Sequence, residues 1–160
     1  MNIFENYLLK INEIVIKNKK SLKLLNTEHL EDVSLEVPPV HFNFDLSTNI
    51  SLVLSKVNKL NPKDLAKEIK KLLLSNIDHI ENIEIAGPGF LNIKLSNKGL
   101  ALNINNIFKN KKTYGSTRSS KRYNVEFVSA NPTGPMHIGH CRGAIFGDVL
   151  SNLLLFNGNK

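Results

Sequence analysis

Apolar positions recur at helical spacing from the start of the chain: Ile3, Phe4, Tyr7, Leu8, Ile11, Ile14 and Val15 share one face and predict an amphipathic helix. The period then shortens. Val33, Leu35 and Val37 alternate with Ser34 and Glu36 and run into Pro38-Pro39, the pattern of a strand ended by residues that cannot donate to a ladder. Thr48 is placed to cap a helix through Lys56 that carries Leu52, Val53 and Leu54. Asn61-Pro62 joins a capping side chain to a proline at the first helical position, which predicts a helix to about Ser75. Ile83 and Ile85 read as a strand, Ala86-Gly87-Pro88-Gly89-Phe90 as a turn, and Leu91, Ile93 and Leu95 as the returning strand. Ser96 then caps a helix through Phe108. Helices and strands in this order predict an α+β unit over residues 1–110.

The run from Asn110 to Lys121 is polar, basic and rich in Gly, Ser and Thr, so residues 111–121 read as a linker. Beyond it Tyr123, Val125 and Phe127 alternate with Asn124, Glu126 and Val128, which predicts a strand. Ser129 to Pro135 is turn-rich, and from Gly139 a stripe of Ile145, Phe146, Val149, Leu150, Leu153 and Leu154 predicts a helix to Asn157, with Gly158 at its C-terminal cap. Residues 122–160 thus read as one strand and one helix of an α/β domain.

Composition narrows the class. The hydrophobic content of 41% supplies a core and argues against wholesale disorder. Cys141 is the one cysteine, so there is no intramolecular disulfide and no zinc-type Cys/His grid, which suits a reducing, cytoplasmic setting. Apolar runs such as Leu153 to Phe156 are too short to span a bilayer, and Glu5, Lys10 and Glu13 are unlike a secretory or transit leader. The formal net charge of +7 is uneven: −1 over residues 1–40, +2 over 41–108 and +6 over 109–160. Heavy use of Lys, Asn and Ile throughout accounts for part of this. A basic stretch beside a phosphate-type motif also attracts nucleotide or nucleic acid.

That motif is His137-Ile138-Gly139-His140, at the start of the last helix and after a strand and a Pro/Gly-rich loop. In an open α/β sheet a nucleotide sits at this place, off the strand's carboxyl end and against the helix N-terminus. Unpaired helix amides favour phosphate, Gly139 leaves room for a flat base, and two imidazoles one turn apart donate to phosphate oxygens. Such donors stabilise charge on a pentacoordinate phosphorus. Two plainer readings stand beside this one. With five His and nine Gly, the string arises by chance in about one such chain in a hundred, and His137 and His140 beside Cys141 also read as a metal pair that lacks a visible third ligand.

The run Val125-Glu126-Phe127-Val128-Ser129-Ala130-Asn131-Pro132-Thr133-Gly134-Pro135-Met136-His137-Ile138-Gly139-His140 resembles the first signature block of class I arginyl-tRNA synthetases, and the resemblance continues through Cys141-Arg142-Gly143-Ala144 to Gly147-Asp148. Upstream, Glu84 to Ile93 and Asp45-Leu46-Ser47-Thr48-Asn49 resemble the family's N-terminal additional domain. The bare H-x-G-H is shared across class I synthetases and other nucleotidyltransferases; the long prefix is far more specific.

The resemblance implies an α+β additional domain followed by the first strand and helix of a truncated, Rossmann-like α/β catalytic domain. It implies an arginine–tRNA ligase that activates L-arginine with ATP and Mg²⁺, holds no prosthetic group and no protein-bound metal, and transfers arginine to tRNA(Arg). His137, Gly139 and His140 would bind ATP, with His137 and His140 catalytic. Ser129 and Asn131 would hold the amino and carboxylate ends of arginine, and Glu126 would face its guanidinium. Glu126 is the only acid between residues 85 and 147, and a carboxylate is the natural bidentate partner of a guanidinium. The N-terminal unit would grip the tRNA elbow, where Phe42, Asn43, Phe44 and Asn49 are the stacking and hydrogen-bonding candidates. Phe44 stands where the family usually has Gly, and Gly134 precedes Pro135 where some members have Lys. The second, lysine-bearing signature, the rest of the sheet and the anticodon-binding domain are expected downstream. On that expectation the parent is monomeric, while these 160 residues alone are inactive and self-associate through an uncovered helix face. The alternatives are a non-catalytic tRNA-binding module and a small H-x-G-H nucleotidyltransferase.

Overall fold

Helix α1 (Ile3–Lys17) starts on a reciprocal cap: Asn2 Oδ1 accepts from the Glu5 amide at 2.9 Å, and the Glu5 carboxylate accepts from the Asn2 amide at 3.2 Å. Its inner face buries Tyr7, Ile11 and Val15, part of the stripe seen in the sequence. A 3₁₀ segment, Glu28–Asp32, leads to β1 (Leu35–Glu36), and β2 (Leu46–Thr48) follows. Helices α2 (Ile50–Asn58) and α3 (Pro62–Asn76) precede the hairpin of β3 (Ile80–Ala86) and β4 (Phe90–Leu95), and α4 (Asn97–Asn110) follows. The computed structural model describes residues 2–117 and 119–160, in two compact units, Asn2–Lys109 and Asn110–Lys160.

The sheet of the first unit has the order β1-β2-β4-β3, every pair antiparallel. Leu91, Ile93 and Leu95 of the central β4 point into the core, against Ile11, Val15, Leu54, Ile69 and Leu73 from three helices. A register irregularity between Ile80 and Asn82 lets Ile80 and Ile83 both turn inward, although three positions separate them. The opposite face carries a polar row in register across all four strands: Glu36, Ser47, Asn92 and Glu84. Gly89, with φ +147°, packs so tightly that an added Cβ would lie 3.1 Å from Ser51 Oγ and 3.3 Å from Pro62 Cβ. The turn is thereby fixed on the helix layer.

Two local expectations are corrected. The first strand covers Leu35–Glu36 rather than the full alternating run, because Val37 is exposed and Pro38 follows. Thr48 ends β2, and Asn49 takes the N-cap position of α2 without a side-chain cap bond, while Thr48 Oγ1 accepts from the first helical amide, Ile50 N, at 3.3 Å. Asn61 caps α3 as expected, accepting from the Lys63 and Asp64 amides at 2.9 and 3.2 Å. Ser96 Oγ likewise accepts from Gly99 N at 3.2 Å.

In the second unit, α5 (Ile138–Phe156) ends at Asn157, and Gly158 follows at φ +82°. The strand expected over 123–128 is absent: residues 121–130 belong to no strand, because no neighbour supplies a ladder along them. A pair of backbone bonds ties the start of this segment to Lys160. Lys160 N donates to Lys121 O at 3.0 Å and Tyr123 N to Lys160 O at 2.8 Å, the slanted pattern of a parallel pair. Phe127 packs on Gly147 so closely that a Cβ there would lie 2.1 Å from its Cγ. Gly147 is the residue of α5 that is buried; Ile145, Phe146, Val149 and Leu153 are exposed.

Candidate functional site

In the second unit the candidate residues gather at the start of α5. His137 is extended at the N-cap of α5, with φ −112° and ψ 174°. His137 Nδ1 accepts from Gly139 N at 3.1 Å, and His140 Nδ1 accepts from His137 N at 3.2 Å. Histidines therefore fill both roles of a capping box, where hydroxyl or amide and carboxylate side chains usually stand. The two rings lie 4.0 Å apart, tilted by 38°. Gly139 makes room for this: an added Cβ would meet His137 Cε1 at 2.9 Å. The space expected for a flat base is filled by the His137 ring, and the amides of His137 and Gly139 are already paired rather than open.

Upstream, Val128 adopts φ +58°, a strained conformation for a β-branched residue. The chain reverses there, with Ala130 N donating to Val128 O at 2.7 Å. The reversal brings Ser129 Oγ onto the Glu126 carboxylate in a short hydrogen bond. Both side chains are exposed, as is Asn131. Glu126 and Ser129 were expected at opposite ends of one amino acid. Here they are joined directly, with the Ser129 hydroxyl on one of the two carboxylate oxygens of Glu126.

In the first unit the polar sheet face forms the floor of a groove of about 400 Å³. Phe42 and Pro39 line it, as do Gly87, Pro88 and Phe90 from the hairpin turn. Ser47 Oγ donates to Asn92 Oδ1 at 2.7 Å, and Asn92 is only 3% exposed. Phe42 contacts the His41 ring at 4.2 Å between centroids, and Phe90 keeps 39% of its surface exposed. The four residues proposed from sequence divide here. Phe42 lines the groove, and so does Asn49, but both ends of the Asn49 amide are engaged: Oδ1 accepts from Ser34 N at 2.8 Å and Nδ2 donates to Asp32 O at 3.3 Å. Asn43 is exposed and accepts from Lys94 Nζ at 3.3 Å, and Phe44 is half-buried without lining the groove. Phe90 and Asn92 were missed. Their signal was an aromatic after a Gly-Pro-Gly turn, two residues before Asn92 on a strand whose other face is the apolar Leu91, Ile93 and Leu95.

Among the described residues no group of three or more His, Cys, Asp or Glu side chains could hold a metal ion, and no helix is long and apolar enough to cross a membrane.

Residues 10–95 match the family described as the arginyl tRNA synthetase N terminal domain, and residues 103–160 match the class I (R) tRNA synthetase catalytic domain. The arginine–tRNA ligase of Pelagibacter ubique is 47% identical over 159 residues, which is 98% of this chain and 28% of that protein. The arginine–tRNA ligase of Bartonella quintana is 46% identical over 167 residues, with 99% and 27% covered. The chain therefore spans little more than a quarter of the length of these relatives. The solved arginyl-tRNA synthetase of Plasmodium falciparum shares the fold at a TM-score of 0.64 with 20% identity, covering 100% of this chain and 30% of that one. That of Thermus thermophilus gives 0.59 with 19% identity, covering 94% and 24%.

Proposed function

Because the chain belongs to the arginyl-tRNA synthetase family, we propose that it is the N-terminal part of an arginine–tRNA ligase, with ATP held at the start of α5 and a tRNA loop base in the sheet groove. The observation that carries the catalytic half is the histidine pair on that helix start, with ring centroids 4.0 Å apart. In the reaction the arginine carboxylate oxygen attacks the α-phosphorus of ATP, the bond to the β-phosphate breaks, and pyrophosphate leaves arginyl-adenylate. A tRNA hydroxyl then takes the arginyl group and AMP departs. His137 and His140 donate to phosphate oxygens as negative charge builds at phosphorus, the kind of interaction worth most where donors are preorganised. Glu126 pairs with the guanidinium, while Ser129 and Asn131 hold the amino and carboxylate ends. Mg²⁺ would come with ATP, neutralising part of the charge on its phosphates.

The parallel hydrogen-bond pair between 121–123 and Lys160 supports reading the second unit as the opening of a Rossmann-like sheet in which 123–128 becomes a strand once its neighbours are present. The division of the chain into compact units at Lys109 and Asn110 supports a first domain over 1–110, followed by a linker at 111–121 and the second domain at 122–160. A cytoplasmic setting follows from this role in translation.

For the RNA half, Phe42 and Phe90 offer stacking surfaces above a polar floor, the arrangement that recognises an unstacked loop base. In the full-length enzyme, His137→Ala should slow arginine-dependent ATP–pyrophosphate exchange by well over tenfold, as loss of a transition-state donor requires. An unchanged rate would remove the adenylate-site assignment. A second reading, an RNA-binding module without catalysis, is favoured for the 160 residues alone because the buried core cluster lies within the first unit. Salt-dependent tRNA binding without exchange activity would match it, and no binding at low salt would exclude it.

A further inference from the structure

Phe90, Asn92 and Lys94 alternate with the core-facing Leu91, Ile93 and Leu95, so all three lie on the groove side of β4. Asp45, two residues before Ser47, stands beside them at the start of β2. Its amide donates to Ile93 O at 3.0 Å, and its Oδ2 accepts from Leu95 N at 2.8 Å, so Asp45 extends the contact of β2 with β4 by one step. Lys94 Nζ lies 3.6 Å from Asp45 Oδ1 and donates to Asn43 Oδ1 at 3.3 Å. The Lys94 and Asp45 side chains are only 30% and 26% exposed, so this pair is sheltered where surface pairs are screened. The segment that leads into Asp45 carries Val37, Pro38, Pro39 and Phe42 of the groove lining. Its own backbone bonds are local: Phe42 N donates to Pro39 O at 2.9 Å and Phe44 N to Phe42 O at 2.7 Å. Val37 and Val40 are exposed, so apolar packing does little to fix it. The bond from Lys94 to Asn43, the residue after Phe42, ties this wall to the sheet.

We propose that Lys94 is a positioning residue for RNA: held by Asp45, it fixes Asn43 and so keeps Phe42 at the groove as a ready stacking surface. This rests on the reading of the groove as the seat of a tRNA loop base and adds to it what orders the groove wall. A wall ordered beforehand lowers the cost of binding, because the segment and its side chains need not be immobilised when the base arrives. A direct phosphate contact is the other use of a lysine on this face. The Lys94 amine is already engaged by a carboxylate and an amide oxygen, however, and Phe42 lines the groove where Lys94 does not. Asn43, a contact candidate in the sequence, thereby acts through its neighbour.

Asn43→Ala and Lys94→Met each cut the tie, and Asp45 keeps its bond to the Leu95 amide in both. In the full-length enzyme, hydrogen exchange at Val40 to Phe44 should quicken in either variant, with α3 and β4 unchanged. The Kd for tRNA(Arg) should rise about three- to tenfold in each, the range for ordering one or two side chains. The double variant should bind no more weakly than the weaker single, since both remove one interaction. In a Phe42→Ala background Asn43→Ala should change the Kd less than twofold, whereas a general loss of structure would weaken binding in both backgrounds. The salt slope of binding should be the same in Lys94→Met and the wild type. A slope lowered by about one phosphate contact, with Asn43→Ala silent, would overturn the proposal in favour of a direct contact. Phe42→Ala weakening binding while both single variants match the wild type would overturn the tie and leave the groove reading intact. Binding unaffected by Phe42→Ala and Phe90→Ala alike would overturn the groove reading and this proposal together.

Discussion

Gly147 offers a substitution whose coupling to Phe127 the structure fixes. Replacing a helix-interior glycine by alanine ordinarily stabilises by about 1 kcal/mol. Here the new Cβ would fall 2.1 Å from Phe127 Cγ and 2.3 Å from Phe127 Cβ. The blocking atoms are the root of the side chain, so a ring rotation cannot clear them and the whole residue has to move. Overpacking of this kind costs about 1–3 kcal/mol. Gly147→Ala alone should therefore range from neutral to about 2 kcal/mol destabilising, by subtraction of the helix gain. With Phe127→Gly in the background both blocking atoms are gone, and the same change should stabilise α5 by up to about 1 kcal/mol. The assay is a double-mutant cycle on amide exchange across Asp148 to Leu154, with a predicted coupling of about 1–3 kcal/mol. The same stabilisation in both backgrounds would refute the contact and with it the seating of Phe127, the residue beside Glu126.

Two further outcomes follow from the first unit. Burial raises the Tyr7 pKa above its usual value; the Asn103 hydrogen bond opposes the rise and Asp45 adds to it. Tyr7 therefore ionises later in the folded chain than in the unfolded one. Its contribution to stability is complete below about pH 10 and is lost as pH climbs through the folded value. Urea melts from pH 8 to 11 should show that alkaline loss shrinking in Tyr7→Phe, and an identical pH slope in the variant would contradict it. Phe90→Ala should weaken tRNA binding by about 1–3 kcal/mol, the range for one stacked base, without changing the salt slope by a full phosphate contact. An unaffected affinity would separate the groove from RNA binding.

Helix ends were the most legible part of the fold, because Asn61-Pro62, Ser96 and Gly158 announce caps through their own side chains or lack of one. The β3-β4 hairpin was legible in Ile83, Ile85 and the alternating Leu91, Ile93 and Leu95. Its start at Ile80 was not, since the irregularity at Glu81 breaks the two-residue period on which strand reading depends. The alternation over 123–128 marks a segment suited to a strand, but a strand exists only where a partner closes the ladder. At the candidate sites, residue type located the histidine pair while leaving hidden that their Nδ1 atoms serve the helix. Asn49 looked like a base reader from its place in the run; its amide instead ties residues 32 and 34 to the start of α2. Asn92 looked like an interruption in a strand and proves to be the floor of the groove.

The central proposal is that this chain carries the arginine and ATP sites of an arginine–tRNA ligase, and Glu126 tests it most directly because the ligand assigned to its carboxylate is the arginine guanidinium and not ATP. The measurement is ATP–pyrophosphate exchange by the full-length enzyme, titrated with arginine and separately with ATP, for the wild type and Glu126→Gln. The account predicts exchange that requires arginine, with the arginine KM raised at least tenfold in the variant and the ATP KM little changed. Exchange that does not require arginine, or an arginine KM unmoved by the substitution, would contradict it.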